Sequence, residues 1–161
     1  MEAAIGGKLG LREYIESKSA NCTIWFTGHS LGDALATLAA FRYENARGTY
    51  TFGSPRVGDK IFKNAFHTRT YRFVNNCDII TRMPPPVLYK HVGELKYIDS
   101  NGVIDSESNR WERITNPVLS KISHVFNSLG RTGGGLSVLI PDDIVDHVPT
   151  LYATHIWNNI P

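Results

Sequence analysis

Apolar positions along the first half of the chain alternate between two spacings, and the changes of spacing define its elements. Leu9 to Ser19 sets Leu11 and Ile15 about one helical turn apart, whereas Cys22-Thr23-Ile24-Trp25-Phe26-Thr27 is dominated by β-branched and aromatic residues, so a helix followed by a strand is predicted. From Leu31 onward, apolar residues at 31, 35, 38 and 39, with 34 and 41 beside them, trace one broad helical face that Gly48 is expected to stop. Thr49-Tyr50-Thr51-Phe52 predicts the next strand, ended by Gly53-Ser54-Pro55. Asp59 to His67 fits a second helix, with Asp59 near its start and Ile61, Phe62, Ala65 and Phe66 on one face, before Tyr71-Arg72-Phe73-Val74 resumes β character. Strand, helix, strand, helix, strand implies an α/β fold with a mostly parallel sheet and flanking helices.

Beyond Asp78 the pattern changes. Met83-Pro84-Pro85-Pro86 excludes regular hydrogen bonding and predicts an extended surface crossing. A hairpin is expected next, with Tyr89 to Val92 pairing Glu94 to Asp99 across Gly93, followed by a turn at Ser100-Asn101-Gly102. Arg110 to Gly135 gives no regular pattern beyond helical character near Lys121 to Leu129. Two short helices close the chain, one near Pro141 to Val145, where Pro141 suits a first helical position, and another from Pro149 to Trp157.

Composition narrows what such a fold does. A chain of 161 residues that is 42% apolar suits a single domain, residues 1–161, with a hydrophobic core. Seventeen Lys and Arg against 15 Asp and Glu leave a net charge of +2, and no two basic residues are adjacent, so the basic stripe of a nucleic-acid reader is lacking. No apolar run reaches the roughly 18 residues of a membrane span. The start, Met1 to Lys8, shows no secretory signal, which leaves a secreted and a cytoplasmic location both open. Cys22 and Cys77 match neither a zinc nor a redox spacing and are expected to be reduced, buried thiols. No cofactor or metal is called for.

Gly28-His29-Ser30-Leu31-Gly32 is a Gly-x-Ser-x-Gly sequence between a predicted strand and an amphipathic helix, the context of a nucleophile elbow. There the serine occupies a strained turn, so the residues two before and two after it are expected to have no room for side chains. The following helix, beginning at Leu31, points its backbone N–H groups at the space beside Ser30 where an oxyanion would form. The plain alternative is a serine that merely caps a helix.

A serine nucleophile needs a base and the base needs a carboxylate, in the chain order Ser, Asp, His for this topology. Asp78 directly follows the strand Tyr71 to Asn75 and so lies at the same sheet edge as Ser30; a turn-capping role is its alternative. Asp59, Asp99 and Asp105 fall in turns or at a helix start. Among six histidines, His147 lies on a loop between the last two helices and is the first choice for the base. His91, in the predicted hairpin, is the second. His155 and His67 lie on predicted helices, His124 in the unreadable segment, and His29 inside the elbow, pointing away from its neighbour.

The blocks Thr27 to Gly32 with Ala34-Leu35-Ala36, Thr51 to Gly58, Asn75 to Pro85, Tyr89 to Gly93, and Asp146-His147 with Tyr152 resemble the class 3 lipases, the group that includes fungal triacylglycerol lipases. The resemblance runs from about residue 10 to 157 and is weakest over 110–135. It implies an α/β-hydrolase fold and ester hydrolysis of acylglycerols, with Ser30 as nucleophile, Asp78 as orienting acid, His147 as base and the Leu31 amide as oxyanion donor. The implied partner is a lipid or other ester, met at a lipid–water interface. Two departures stand out. Asp33 replaces the small residue usual after the last elbow glycine, adding a negative charge that suits the helix dipole but opposes an oxyanion. The family also has first strands, a lid and a second oxyanion donor ahead of the elbow, where this chain has only about twenty residues, so it resembles the C-terminal part of a lipase with the N-terminal strands missing. A serine ester hydrolase, acylglycerols its first expected substrate and phospholipase and feruloyl-esterase specificities housed on the same scaffold, therefore competes with a catalytically silent lipase-like fragment that acts as a binding domain. An unrelated interaction module would require the ordered Ser, Asp and His to be coincidence.

Overall fold

The computed structural model describes residues 10–19, 22–43, 45–105 and 142–161. Four strands, Trp25–His29 (β1), Gly48–Phe52 (β2), Thr70–Asn75 (β3) and Glu94–Ile98 (β4), run parallel in that spatial order, and Ile104–Asp105 (β5) joins β4 antiparallel. The helices are Leu11–Ser19 (α1), Leu31–Arg42 (α2), Lys60–Ala65 (α3), Asp142–Val145 (α4) and Pro149–Asn158 (α5). Segment 110–135, with His124, and Pro141 lie outside the described residues. Because the register is His29↔Phe52↔Phe73, the strands end together, and the turns after β1, β2 and β3 share the C-terminal sheet edge. That edge is where open parallel sheets build their sites.

Helix α2 buries a different face from the one its large apolar residues mark. Asp33, Ala36, Thr37 and Ala40 face the sheet, while Leu31, Leu35 and Phe41 are exposed. The cause is the elbow. A Cβ on Gly28 would lie 2.4 Å from the Gly32 carbonyl carbon, so the helix starts against the strand backbone, and this close start fixes its rotation. Only small side chains fit the narrow gap that follows. The helix ends at Arg42, not near Gly48. Gly48 opens β2, where a Cβ would meet the Trp25 ring at 2.5 Å.

The predicted hairpin across Gly93 is also corrected. Lys90 bridges to Gly58, its amide donating to the Gly58 carbonyl at 2.7 Å, and β4 pairs with β3 from Tyr71↔Glu94 onward. Gly93, at φ +81°, lies so close to β3 that a Cβ would sit 2.7 Å from Thr70, which brings the chain alongside β3 rather than back on itself. The hairpin is β4–β5, and its turn is held by the Asp99 carboxylate, which accepts from the Asn101 and Val103 amides. Around the cis Met83–Pro84 bond the chain forms no strand, and the Arg56 guanidinium donates to the carbonyls of Arg82, before it, and Pro84, after it. His67 follows α3 rather than lying on it. Both cysteines are free, but Cys22 is exposed and Cys77 half-buried. Cys22 precedes β1, an edge strand among the described residues, and has no second sheet neighbour to cover it.

Candidate active site

Ser30 stands at φ 58°, ψ −122°, a backbone conformation that costs an L residue about 1–3 kcal/mol and is retained only where the surroundings impose it. Here the surroundings are explicit. The Ser30 amide donates to the Phe52 carbonyl at 3.2 Å, and the Gly28–Gly32 contact leaves the turn no room to relax. The glycines are not equivalent, however. Gly28 is needed sterically, whereas a Cβ on Gly32 would meet nothing within 4 Å, so the expectation that neither position has room holds for the first glycine alone. The Ser30 side chain makes no helix-capping hydrogen bond, which removes the capping alternative.

The hydroxyl turns instead to His147. Ser30 Oγ lies 2.8 Å from His147 Nε2, and His147 Nδ1 lies 2.9 Å from Asp78 Oδ2. With Nδ1–H donating to the carboxylate, Nε2 is left with a lone pair for the serine proton. The Asp78 side chain is fully buried and that of His147 is 16% exposed, so of the two the histidine alone faces the solvent side. Asp78 also accepts from the Ile80 amide through Oδ1, at 2.9 Å, so it caps the 3₁₀ turn Ile80–Arg82 while holding the histidine. Gly53, at φ +73°, forms the floor beneath the pair. A Cβ there would be 2.9 Å from Asp78 Oδ2 and 3.0 Å from His147 Nδ1.

The other candidates are placed elsewhere. The buried ring of His91 bonds the Thr81 carbonyl through Nε2 at 2.8 Å, and burial together with nearby Arg72 and Arg56 holds its pKa well below the usual value. His155 lies on α5 against Gly102, and Asp59 caps α3 by accepting from the Phe62 amide. The amide of Leu31 begins α2 beside Ser30, among the helix-start donors that have no intrahelical partner. Among the described residues no group of three His, Cys, Asp or Glu is arranged to hold a metal ion, and no helix is long and apolar enough to cross a membrane.

The supporting roles of four residues are not legible in the sequence. Tyr152 on α5 donates to Asp78 Oδ2 at 2.6 Å and accepts from the Asn75 amide at 2.9 Å; burial first and the Asp78 charge second push its pKa well above 10, so the hydroxyl keeps its proton. Asp146 accepts from Asn76 Nδ2 and the Cys77 amide, fastening the His147 loop to the segment that carries Asp78. His29 does not point away: its Nε2 donates to the His147 carbonyl at 2.7 Å, and the two rings lie 4.5 Å apart. Burial lowers its pKa and keeps it neutral. Asp33 is fully buried, with Oδ2 accepting from the Phe52 amide at 2.7 Å, and burial raises its pKa to about 9. The extra negative charge expected from Asp33 is therefore absent at neutral pH, because among the described residues no ion pair offsets its loss of water. In the sequence Asp146 and Tyr152 stand only within a block of the family resemblance, Asp33 as a departure from that family and His29 as a member of the elbow, and none of these marks gives the contact that the residue makes.

A mostly parallel sheet with a serine on the strained turn from strand to helix is the architecture of the α/β-hydrolases. The structure of Rhizomucor miehei lipase in its propeptide complex is similar, with a TM-score of 0.53 and 29% identity, covering 64% of this chain and 37% of that one. A family profile described as Lipase (class 3) matches residues 7–88, half of the chain, and the chain belongs to that family. Secreted mono- and diacylglycerol lipase 1 of Fusarium solani is 41% identical over 101 residues, 56% of this chain and 30% of that protein. Phospholipase A1-II 3 of Oryza sativa subsp. japonica is 37% identical over 107 residues, 56% of this chain and 25% of that protein. The chain thus spans less than a third of the length of these relatives.

Proposed function

We propose that the chain carries the acyl-transfer site of a serine ester hydrolase acting on glycerol-bound acyl esters. The observation that carries this reading is the line from Ser30 Oγ to His147 Nε2 and from His147 Nδ1 to Asp78, at 2.8 and 2.9 Å, on a serine held at positive φ. His147 takes the Ser30 proton as Oγ bonds to the acyl carbon, and the oxyanion is met by the Leu31 amide. The imidazolium returns that proton to the departing alkoxide as the ester C–O bond breaks, leaving an acyl-serine. A water molecule then repeats the cycle, its proton passing through His147 to Ser30 and its hydroxyl to the released acid. Asp78 holds the imidazole and balances its charge. The similar proteins named above are a lipase, a mono- and diacylglycerol lipase and a phospholipase A1, and an acyl ester of glycerol is a bond that enzymes of all three names can cleave. We take residues 1–161 as one partial α/β-hydrolase domain.

The test is covalent labelling. A fluorophosphonate is expected to add once to the chain, on the peptide containing Ser30, and not to Ser30→Ala; mass spectrometry locates the adduct. An adduct on another serine, or none at all on a folded chain, overturns the assignment and favours a silent, lipase-like binding domain.

A further inference from the structure

Phe52 is clamped from both sides of its peptide: its carbonyl accepts from the Ser30 amide at 3.2 Å, and its amide donates to Asp33 Oδ2 at 2.7 Å. Residues 30 and 33, at the two ends of the first turn of α2, thus grip the last residue of β2. The next residue is Gly53, the floor of the Asp78–His147 pair. Asp33 is fully buried, no ion pair reaches it among the described residues, and its Oδ1 has no hydrogen-bond partner there. We propose that Asp33 is a positioning residue for the serine turn, a buried acid whose carboxyl ties α2 to the end of β2, and that an uncharged amide does the same work.

The inference rests on the serine hydrolase reading for its activity arm alone. Among the described residues the titratable groups acting on Asp33 are Asp78, after β3, and Tyr152, on α5, both negative when ionised; His147 stands one hydrogen bond beyond Asp78, and His29 packs on His147. No Lys or Arg is among them. Burial, chiefly, holds the Asp33 proton up to about pH 9. Above that, a second buried anion appears one turn from the amides that face the forming oxyanion, and it repels Asp78. Ionisation therefore opposes the reaction twice, without Asp33 touching substrate.

The 161-residue chain, Asp33→Asn and Asp33→Ala are compared from pH 5 to 10.5, in fluorophosphonate labelling rate, in p-nitrophenyl butyrate turnover and in thermal unfolding. Wild type is expected to lose activity about tenfold per pH unit above about pH 9. Asp33→Asn keeps turnover within about threefold at pH 7 and lacks that alkaline limb. Asp33→Ala lowers kcat about tenfold with KM nearly unchanged. Unfolding gives an arm independent of activity, since the unfolded chain releases the Asp33 proton near the usual carboxylate pKa while the folded chain keeps it. The wild-type midpoint should therefore drop relative to Asp33→Asn as pH rises from about 4 to about 9. An alkaline limb that survives in Asp33→Asn, or parallel unfolding midpoints, overturns the inference. A chain that never labels overturns the hydrolase reading instead, and the unfolding arm still decides for Asp33. If Asp33→Ala fails to fold, the comparison of wild type with Asp33→Asn is decisive by itself.

Discussion

Tyr152→Phe isolates one oxygen atom. The ring keeps its edge-on packing with Phe52 and His29, at centroid distances of 6.3 and 5.9 Å, so no cavity opens. Two hydrogen bonds are lost. The Asn75 amide, in a residue only 2% exposed, is left without its acceptor, and an unsatisfied buried donor costs about 1–3 kcal/mol. Asp78 Oδ2 loses its shorter donor, a charge-assisted bond of about 1.5–3 kcal/mol. Because the two losses share one hydroxyl, they do not add fully, and about 3 kcal/mol is the expected total. For a chain of this size that lowers Tm by roughly 6–12 °C. The loss should be uniform between pH 5 and 9, because burial keeps the hydroxyl protonated throughout that range. Turnover should fall about tenfold rather than by orders of magnitude, since Asp78 retains the Ile80 amide and His147. Thermal unfolding monitored by circular dichroism and p-nitrophenyl butyrate hydrolysis measure the two effects. A midpoint within 1–2 °C of wild type would show that the Tyr152 hydroxyl does not hold Asp78 in place, and the account of how α5 supports the site would fall with it.

Asp78→Asn and His147→Ala are each expected to lower ester turnover by about 10³-fold or more without unfolding the chain, and the double variant by little more, because the residues act as a unit. Activity that survives His147→Ala and vanishes in His91→Ala would move the base. His29 and His91 are held neutral by burial, so their folded pKa values lie below that of the unfolded chain. The unfolded chain then takes up protons that the folded protein refuses, and stability should drain away as pH falls below about 6.5, chiefly through the deeply buried His91, by up to about 1.4 kcal/mol per pH unit, while the more exposed and better screened His29 adds less. Unfolding midpoints of wild type and His91→Gln from pH 7.5 to 4.5 test this, with a shallower acid limb expected in the variant.

The parts of the site that are written locally could be read from the sequence, and those that depend on distance could not. Ser30 announces itself because the elbow glycines and the flanking strand and helix lie within a few residues. Asp78 and His147 follow from a chain order that the topology imposes and from positions beside predicted element ends. Nothing local says that Tyr152 reaches back 74 positions to Asp78, or that His29 reaches 118 positions forward to the His147 carbonyl, since a tyrosine on a helix and a histidine in an elbow both have ordinary packing roles. The parallel order of β1 to β4 was legible from alternating elements. The hairpin expected between Tyr89 to Val92 and Glu94 to Asp99 does not form, because Gly93 signals a turn equally well for a hairpin and for a close approach to a neighbouring strand.

The errors over α2 and Asp33 have one physical origin. Hydrophobic periodicity assumes that the largest apolar side chains choose the buried face, and on that assumption Leu31, Leu35 and Phe41 point inward and Asp33 stays charged in water. In this helix the face is chosen before side chains compete, by the backbone contact between Gly28 and Gly32. Once that contact sets the rotation, positions 33, 36, 37 and 40 face the sheet whatever they carry, and the space there admits alanine, threonine and a carboxyl that has shed its charge. A leucine at position 33 would satisfy the burial but leave the Phe52 amide without an acceptor. An aspartate satisfies the amide by giving up its ionisation, so the local rule is broken beside the serine, where the backbone is held in a conformation of its own.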